Sequence, residues 1–184
     1  MSPLELLAAA LGIVNIVLIA RRTALNYPFG IAMVVLYAAV FWRARLYGAS
    51  LLQGFFLAAQ LYGWWYWRRS RSDLGPVPVR RLTREGLLIT LMAGVAGSAL
   101  AGVILSSYTD AVAPWRDGLN AGWSIVAQLL TDRRFVESWP LWIAIDLLSV
   151  WLYASQALLA TAALYAVFLC LAAWGWSNWR RAAT

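Results

Sequence analysis

The sequence predicts an all-α integral membrane protein of seven transmembrane helices, built as two parallel three-helix repeats around one connecting helix. Three observations carry that expectation. Of 184 residues, 62% are hydrophobic and 12% charged, with mean hydropathy +0.67. A soluble domain runs about 45–50% apolar and about 25% charged. The excess exceeds what a core can absorb, which argues against a water-soluble enzyme or a disordered module. Second, the basic residues are clustered arginines between long apolar runs. Third, one aromatic motif occurs twice.

Taken in order, stretches near the ~20 apolar residues that a span needs fall at roughly 3–20, 25–42, 47–67, 85–107, 111–130, 138–153 and 157–177. The first carries Glu5, lacks a basic lead and ends at Arg21-Arg22, so it is not read as a signal peptide. The second opens on Asn26-Tyr27-Pro28-Phe29-Gly30, where Pro suits a first helical turn. The third closes on Gly63-Trp64-Trp65-Tyr66-Trp67-Arg68-Arg69. A loop follows at about 68–84, marked by Ser70, Ser72, Gly75, Pro76 and Pro78. The fourth span is rich in Gly and Ala and carries no charge at membrane depth. The fifth and sixth each hold an acid, Asp117 and Asp146.

The arginines set an expected orientation. With seven spans, one side holds Arg21, Arg22, Arg68, Arg69, Arg71, Arg80, Arg81, Arg84, Arg133, Arg134, Arg180 and Arg181. The other holds Arg43, Arg45 and Arg116. The positive-inside rule then predicts an outer N-terminus and a cytoplasmic C-terminus. Long apolar runs separate the clusters, so there is no continuous basic face for a nucleic acid. With no His and a lone Cys170, little remains for a His/Cys metal site, a Ser-His-Asp triad or a disulfide framework. No cofactor is expected.

Gly175-Trp176-Ser177-Asn178-Trp179-Arg180-Arg181 repeats the G-W-x-x-W-R-R pattern of the third span, and Leu46-Tyr47 is echoed by Leu152-Tyr153. Two copies facing the same side require an odd number of helices between the triplets. The expected division is residues 1–69, a linker and helix 4 over 70–110, and residues 111–184. Convergent interfacial Trp clusters are the competing reading.

Polar residues at membrane depth are the functional candidates. On helix 5, Asp117, Asn120, Ser124 and Gln128 fall on one face, as do Trp139, Trp142 and Asp146 on helix 6. Gln53, Phe56, Gln60, Trp64 and Trp67 line helix 3. Together they predict a polar, aromatic cavity that recognises a ligand without reacting with it. Indole faces attract planar cations, amides serve hydroxyls or a carboxamide, and a carboxylate favours positive charge. Each has a plainer reading. Trp67, Trp179 and Trp139 suit an interfacial belt, Gln53 and Gln60 suit interhelical glue, and Asn26 suits helix initiation. Asp117 beside Arg116 suits a solvated helix end. Tyr37, Ser149 and Tyr153 are further candidates for the cavity. A membrane-embedded enzyme and a structural subunit are the rival classes.

The pattern Asn26-x-Pro28-x-Gly30, Leu46-Tyr47, Leu52-Gln53 and Tyr62-Gly63-Trp64-x-x-Trp67 resembles the PnuC family of vitamin transporters. The second half agrees through Asp117, Ser124, Gln128, Arg133-Arg134-x-x-Glu137-Ser138-Trp139-x-x-Trp142-x-x-x-Asp146, Leu152-Tyr153, Tyr165 and Gly175-x-x-x-Trp179. The resemblance implies a SWEET-like seven-helix fold and a homotrimer carrying nicotinamide riboside by facilitated diffusion, with a cytosolic kinase trapping the substrate. It further implies that Trp139, Trp142 and Asp146 hold a small cationic vitamin, with Gln53, Gln60, Ser124 and Gln128 as polar cavity positions and Asn26 and Tyr153 as additional contacts. Thiamine or riboflavin is the alternative substrate within the family.

Overall fold

The computed structural model describes residues 3–43, 47–69, 77–109, 113–155 and 159–183. Arg45, Leu46 and residues 70–76 of the expected linker lie outside them. Among the described residues are seven α-helices and no strand. They are α1 (Pro3–Ala20), α2 (Asn26–Arg43), α3 (Tyr47–Arg69), α4 (Arg84–Tyr108), α5 (Pro114–Asp132), α6 (Ser138–Ser155) and α7 (Leu159–Ala182). Each matches an expected span. By length and composition α1, α4 and α7 are apolar enough to cross a membrane. The other four carry the Tyr, Trp, amide and carboxylate side chains that lower mean hydropathy.

Local chemistry sets several helix ends. The Thr83 hydroxyl accepts the Gly86 N–H at 3.0 Å and starts α4, and Pro114 opens α5. Both α1 and α5 end in the same left-handed turn. Arg22 and Arg134 take φ of 59° and 68°. Thr23 N–H bonds Leu18 O and Arg22 N–H bonds Ile19 O, while Phe135 N–H bonds Leu130 O and Arg134 N–H bonds Thr131 O. This is the Schellman pattern, here formed without glycine.

Helix α1 packs on α2 and α2 on α3; α5 packs on α6 and α6 on α7. The two groups meet where α1 touches α7 and α3 touches α5. Helix α4 lies against α5 through Thr90, Gly94, Ser98 and Gly102, one residue per turn along a single face. A Cβ at Gly118 would strike the backbone of Gly102, and one at Gly122 the backbone of Ser98. The two helices therefore approach to backbone contact, as small residues permit in membranes. The Ser98 hydroxyl crosses the contact to Leu119 O at 3.3 Å.

The main cluster of buried side chains sits at the arginine-rich end. Ile19, Tyr27, Trp67, Val77, Val79, Val136, Trp139 and Trp179 form it. Residues 77–80 run across this end, with Val77 N–H on Arg22 O at 3.0 Å, Arg80 N–H on Arg134 O at 2.9 Å and Val136 N–H on Arg80 O at 3.0 Å. The belt reading of Trp67 and Trp179 is corrected here. They are 1% and 0% exposed, 6.0 Å apart between ring centroids, and face protein rather than lipid. Each indole N–H caps a helix-end carbonyl, Trp67 on Asp132 O at 2.8 Å and Trp179 on Ile19 O at 3.1 Å. Trp139 is likewise buried, edge-on to Trp179 at 5.4 Å.

Candidate binding site

The α6 stripe begins at the buried Trp139, whose ring occupies the space a Cβ at Gly175 would need and whose indole N–H has no partner. One turn on, half-buried Trp142 donates its indole N–H to Thr131 Oγ1 at 3.0 Å. Thr131 in turn donates to Ala127 O at 2.8 Å, so α6 is keyed to α5. Asp146 is 5% exposed, and among the described residues no hydrogen bond or ion pair reaches its carboxylate. An unpartnered carboxylate in an apolar setting is costly, and the cost falls when a cation or donor arrives.

The α5 stripe divides into two levels. Ser124 and Gln128 are buried, whereas Asp117 and Asn120 are exposed. Asp117 pairs with neighbouring Arg116 at 3.1 Å, the arrangement of a helix-end charge. Arg116, Asp117, Asn120, Ser149 and Tyr153 line a small cavity of about 120 Å³ between α5 and α6. Tyr153 also stacks on Tyr165 of α7, with centroids 5.3 Å apart.

On α3, Gln60 is 3% exposed, lies directly against Gly30 of α2 and leaves its Oε1 without a partner. Gln53 is half-buried. Asn26, one turn before Gly30, is 1% exposed. Its Nδ2 donates to Thr23 O at 2.7 Å, which holds the turn into α2.

The sequence reading missed Asp132. It was placed beyond the fifth span, but α5 runs on to include it, and the side chain is 1% exposed. Its Oδ1 accepts from Tyr27 Oη at 3.3 Å and from Gln128 Nε2 at 3.1 Å, while Oδ2 is buried without a partner. Gly63 makes room for it, because a Cβ there would meet both Asp132 Oδ1 and Tyr27 Oη. The signal was present: Asp132 follows Gln128 by four residues and continues the same stripe. Among the described residues no group of three His, Cys, Asp or Glu side chains is placed to hold a metal ion.

Buried amides, indoles and carboxylates on facing helices of an apolar bundle define a polytopic membrane transporter. The chain belongs to the family described as nicotinamide mononucleotide transporter, whose family model matches residues 2–181. It is 30% identical over 186 residues to the nicotinamide riboside transporter PnuC of Neisseria mucosa, covering 95% of this chain and 70% of that protein. The PnuC of Escherichia coli is 29% identical over 204 residues, covering 97% and 85% respectively. The riboflavin/roseoflavin transporter RibM of Streptomyces davaonensis is 26% identical over 179 residues, covering 95% and 83%. The crystal structure of the vitamin B3 transporter PnuC superposes with TM-score 0.82 at 29% identity, covering 97% of this chain and 80% of that one.

Proposed function

We propose that this protein carries nicotinamide riboside across a bacterial inner membrane by facilitated diffusion, with Trp139, Trp142 and Asp146 as the principal contacts. The observation that carries it is Asp146, a buried carboxylate without a partner, one turn from an indole fixed by Thr131. A pyridinium ring is flat and cationic, so it would stack on the indole and neutralise the carboxylate at once. Gln60, Gln128 and Ser124 offer amides and a hydroxyl for a ribosyl group, with Gln53 and Tyr153 towards the rim. Capture by a cytosolic kinase would keep uptake running downhill.

We further propose a 3+1+3 SWEET-like arrangement of residues 1–69, 70–110 and 111–184, assembled as a homotrimer. Two features support the repeat. Exchanging α1, α2 and α3 with α5, α6 and α7 maps the contacts among those six helices onto themselves, while α4 packs on α5 alone. Arg22 and Arg134, Tyr27 and Trp139, Pro28 and Pro140, Gly63 and Gly175, and Trp67 and Trp179 are separated by one constant interval. Alternating access would then be a rocking of the first triplet against the second, with Pro28, Gly30 and Pro140 as flexible points. The arginine-rich end, carrying the C-terminus, faces the cytoplasm under the positive-inside rule, with the N-terminus outside.

Uptake of labelled nicotinamide riboside into proteoliposomes, with and without a proton gradient, tests the reading. Equilibrative uptake without a gradient is expected. Transport of riboflavin alone would favour the second reading, which the RibM relative supports. Transport of thiamine alone would retain a flat cationic ligand and overturn the nicotinamide assignment.

A further inference from the structure

The arginine end of α3 carries a stripe exposed at Leu61, Trp65, Arg68 and Arg69, with Trp64 half-buried against the core at its inner edge. Leu61, Trp64, Trp65, Arg68 and Arg69 follow i, i+3, i+4, i+7 and i+8 and line an open groove of about 410 Å³. The Arg68 guanidinium lies 6.0 Å from the Trp64 ring centroid, and that of Arg69 lies 4.7 Å from the Trp65 centroid. Stacking of this kind holds a guanidinium in place while leaving its N–H edges free to bond. Among the described residues neither arginine has a carboxylate partner; the ion pair present, Arg116–Asp117, involves neither of them.

We propose that this groove binds an anionic phospholipid, with its phosphate on Arg68 and Arg69 and an acyl chain along Leu61 and Trp65. Both apolar residues are open to the surroundings, at 51% and 53% exposure, and they lie one to two turns deeper along the span than the arginines. A free phosphate ion would use only the outer half of such a stripe, whereas a lipid fills both halves. The C-terminal carbonyls of α3 oppose an anion, so the two guanidinium groups must supply the attraction. A partial copy exists on α7, where Arg180 lies 5.5 Å from Trp176, but Ser177 stands where the first copy has Trp65. That site lacks the second indole and serves as an internal control.

Native mass spectrometry of the full chain, released from mixed phosphatidylcholine and phosphatidylglycerol vesicles, tests the proposal. The wild-type protein is expected to retain phosphatidylglycerol selectively. The double variant R68Q/R69Q should weaken that retention by about tenfold or more, while R180Q/R181Q retains most of it. Equal retention by R68Q/R69Q and wild type would overturn the site, as would equal retention of the neutral lipid. Displacement of the bound lipid by millimolar inorganic phosphate would overturn the assignment to a lipid.

Discussion

The Tyr27 hydroxyl donates to Oδ1 of Asp132 at 3.3 Å, joining the first turn of α2 to the last turn of α5 in a place sealed from solvent. Gln128 donates to the same oxygen, so removing the carboxylate strands two buried donors. Asp132→Ala should therefore cost more than Tyr27→Phe. About 1–3 kcal/mol is expected for the first and about 1 kcal/mol for the second. Thermal unfolding of the two variants in one detergent checks the order, and equal losses would refute it.

Trp142→Ala should weaken the binding of nicotinamide riboside by about tenfold, from ~1–2 kcal/mol of lost stacking and cation–π contact. Asp146→Ala should do at least as much. Calorimetric titration of the purified variants measures both. Wild-type affinity in the pair would remove α6 from the site.

Trp67→Phe and Trp179→Phe keep an aromatic ring but lose the N–H that caps Asp132 O and Ile19 O. Trp67→Phe leaves Asp132 O at a buried helix end without that donor, at about 1 kcal/mol. The larger drop in melting temperature is expected for Trp67→Phe, because Ile19 O still accepts the Arg22 N–H at 2.8 Å once the Trp179 donor is gone.

Gly118→Val and Gly122→Val drive a side chain into the backbone of α4, which cannot move aside as a flexible side chain would. Overpacking of about 1–3 kcal/mol is expected. A cysteine pair placed across α4 and α5 should then crosslink more slowly than in the parent protein.

Arg22 adopts a left-handed conformation that costs a non-glycine residue about 1 kcal/mol. Arg22→Gly should raise the melting temperature slightly. Arg134→Gly should not, because Arg134 is buried with its guanidinium 4.9 Å from the Tyr66 ring centroid, and that contact would be lost.

Seven helices were legible because apolar runs and arginine clusters alternate so regularly. The inward placement of Asp146, Gln60, Ser124 and Gln128 was legible from helical spacing, whereas Trp139 was open between belt and interior. Facing was not. A Trp beside an arginine pair has the same local sequence whether it meets lipid or another helix, so Trp67 and Trp179 were read as belt residues until their partners Asp132 and Ile19 were in view. Asp132 was lost for a related reason. Hydropathy ends the fifth span before it, because a carboxylate scores as solvent-facing even where Tyr27 and Gln128 donate to one of its oxygens inside. Asn26 was open between helix entry and ligand contact, and its Nδ2 bond to Thr23 O supplies the helix-entry role.

The strip at residues 77–80 is stitched to the turn after α1 by one backbone bond, from Val77 to Arg22, and to the turn after α5 by two, through Arg80. In the proposed rocking it would serve as a fulcrum, together with the Trp67–Asp132 and Trp179–Ile19 bonds at the same end. Displacement would grow with distance from this tied end, so the opposite mouth would travel furthest. If the tied end is itself to part, the strip peels first from Arg22, where one stitch holds, and departs with α5 as cargo of the second group.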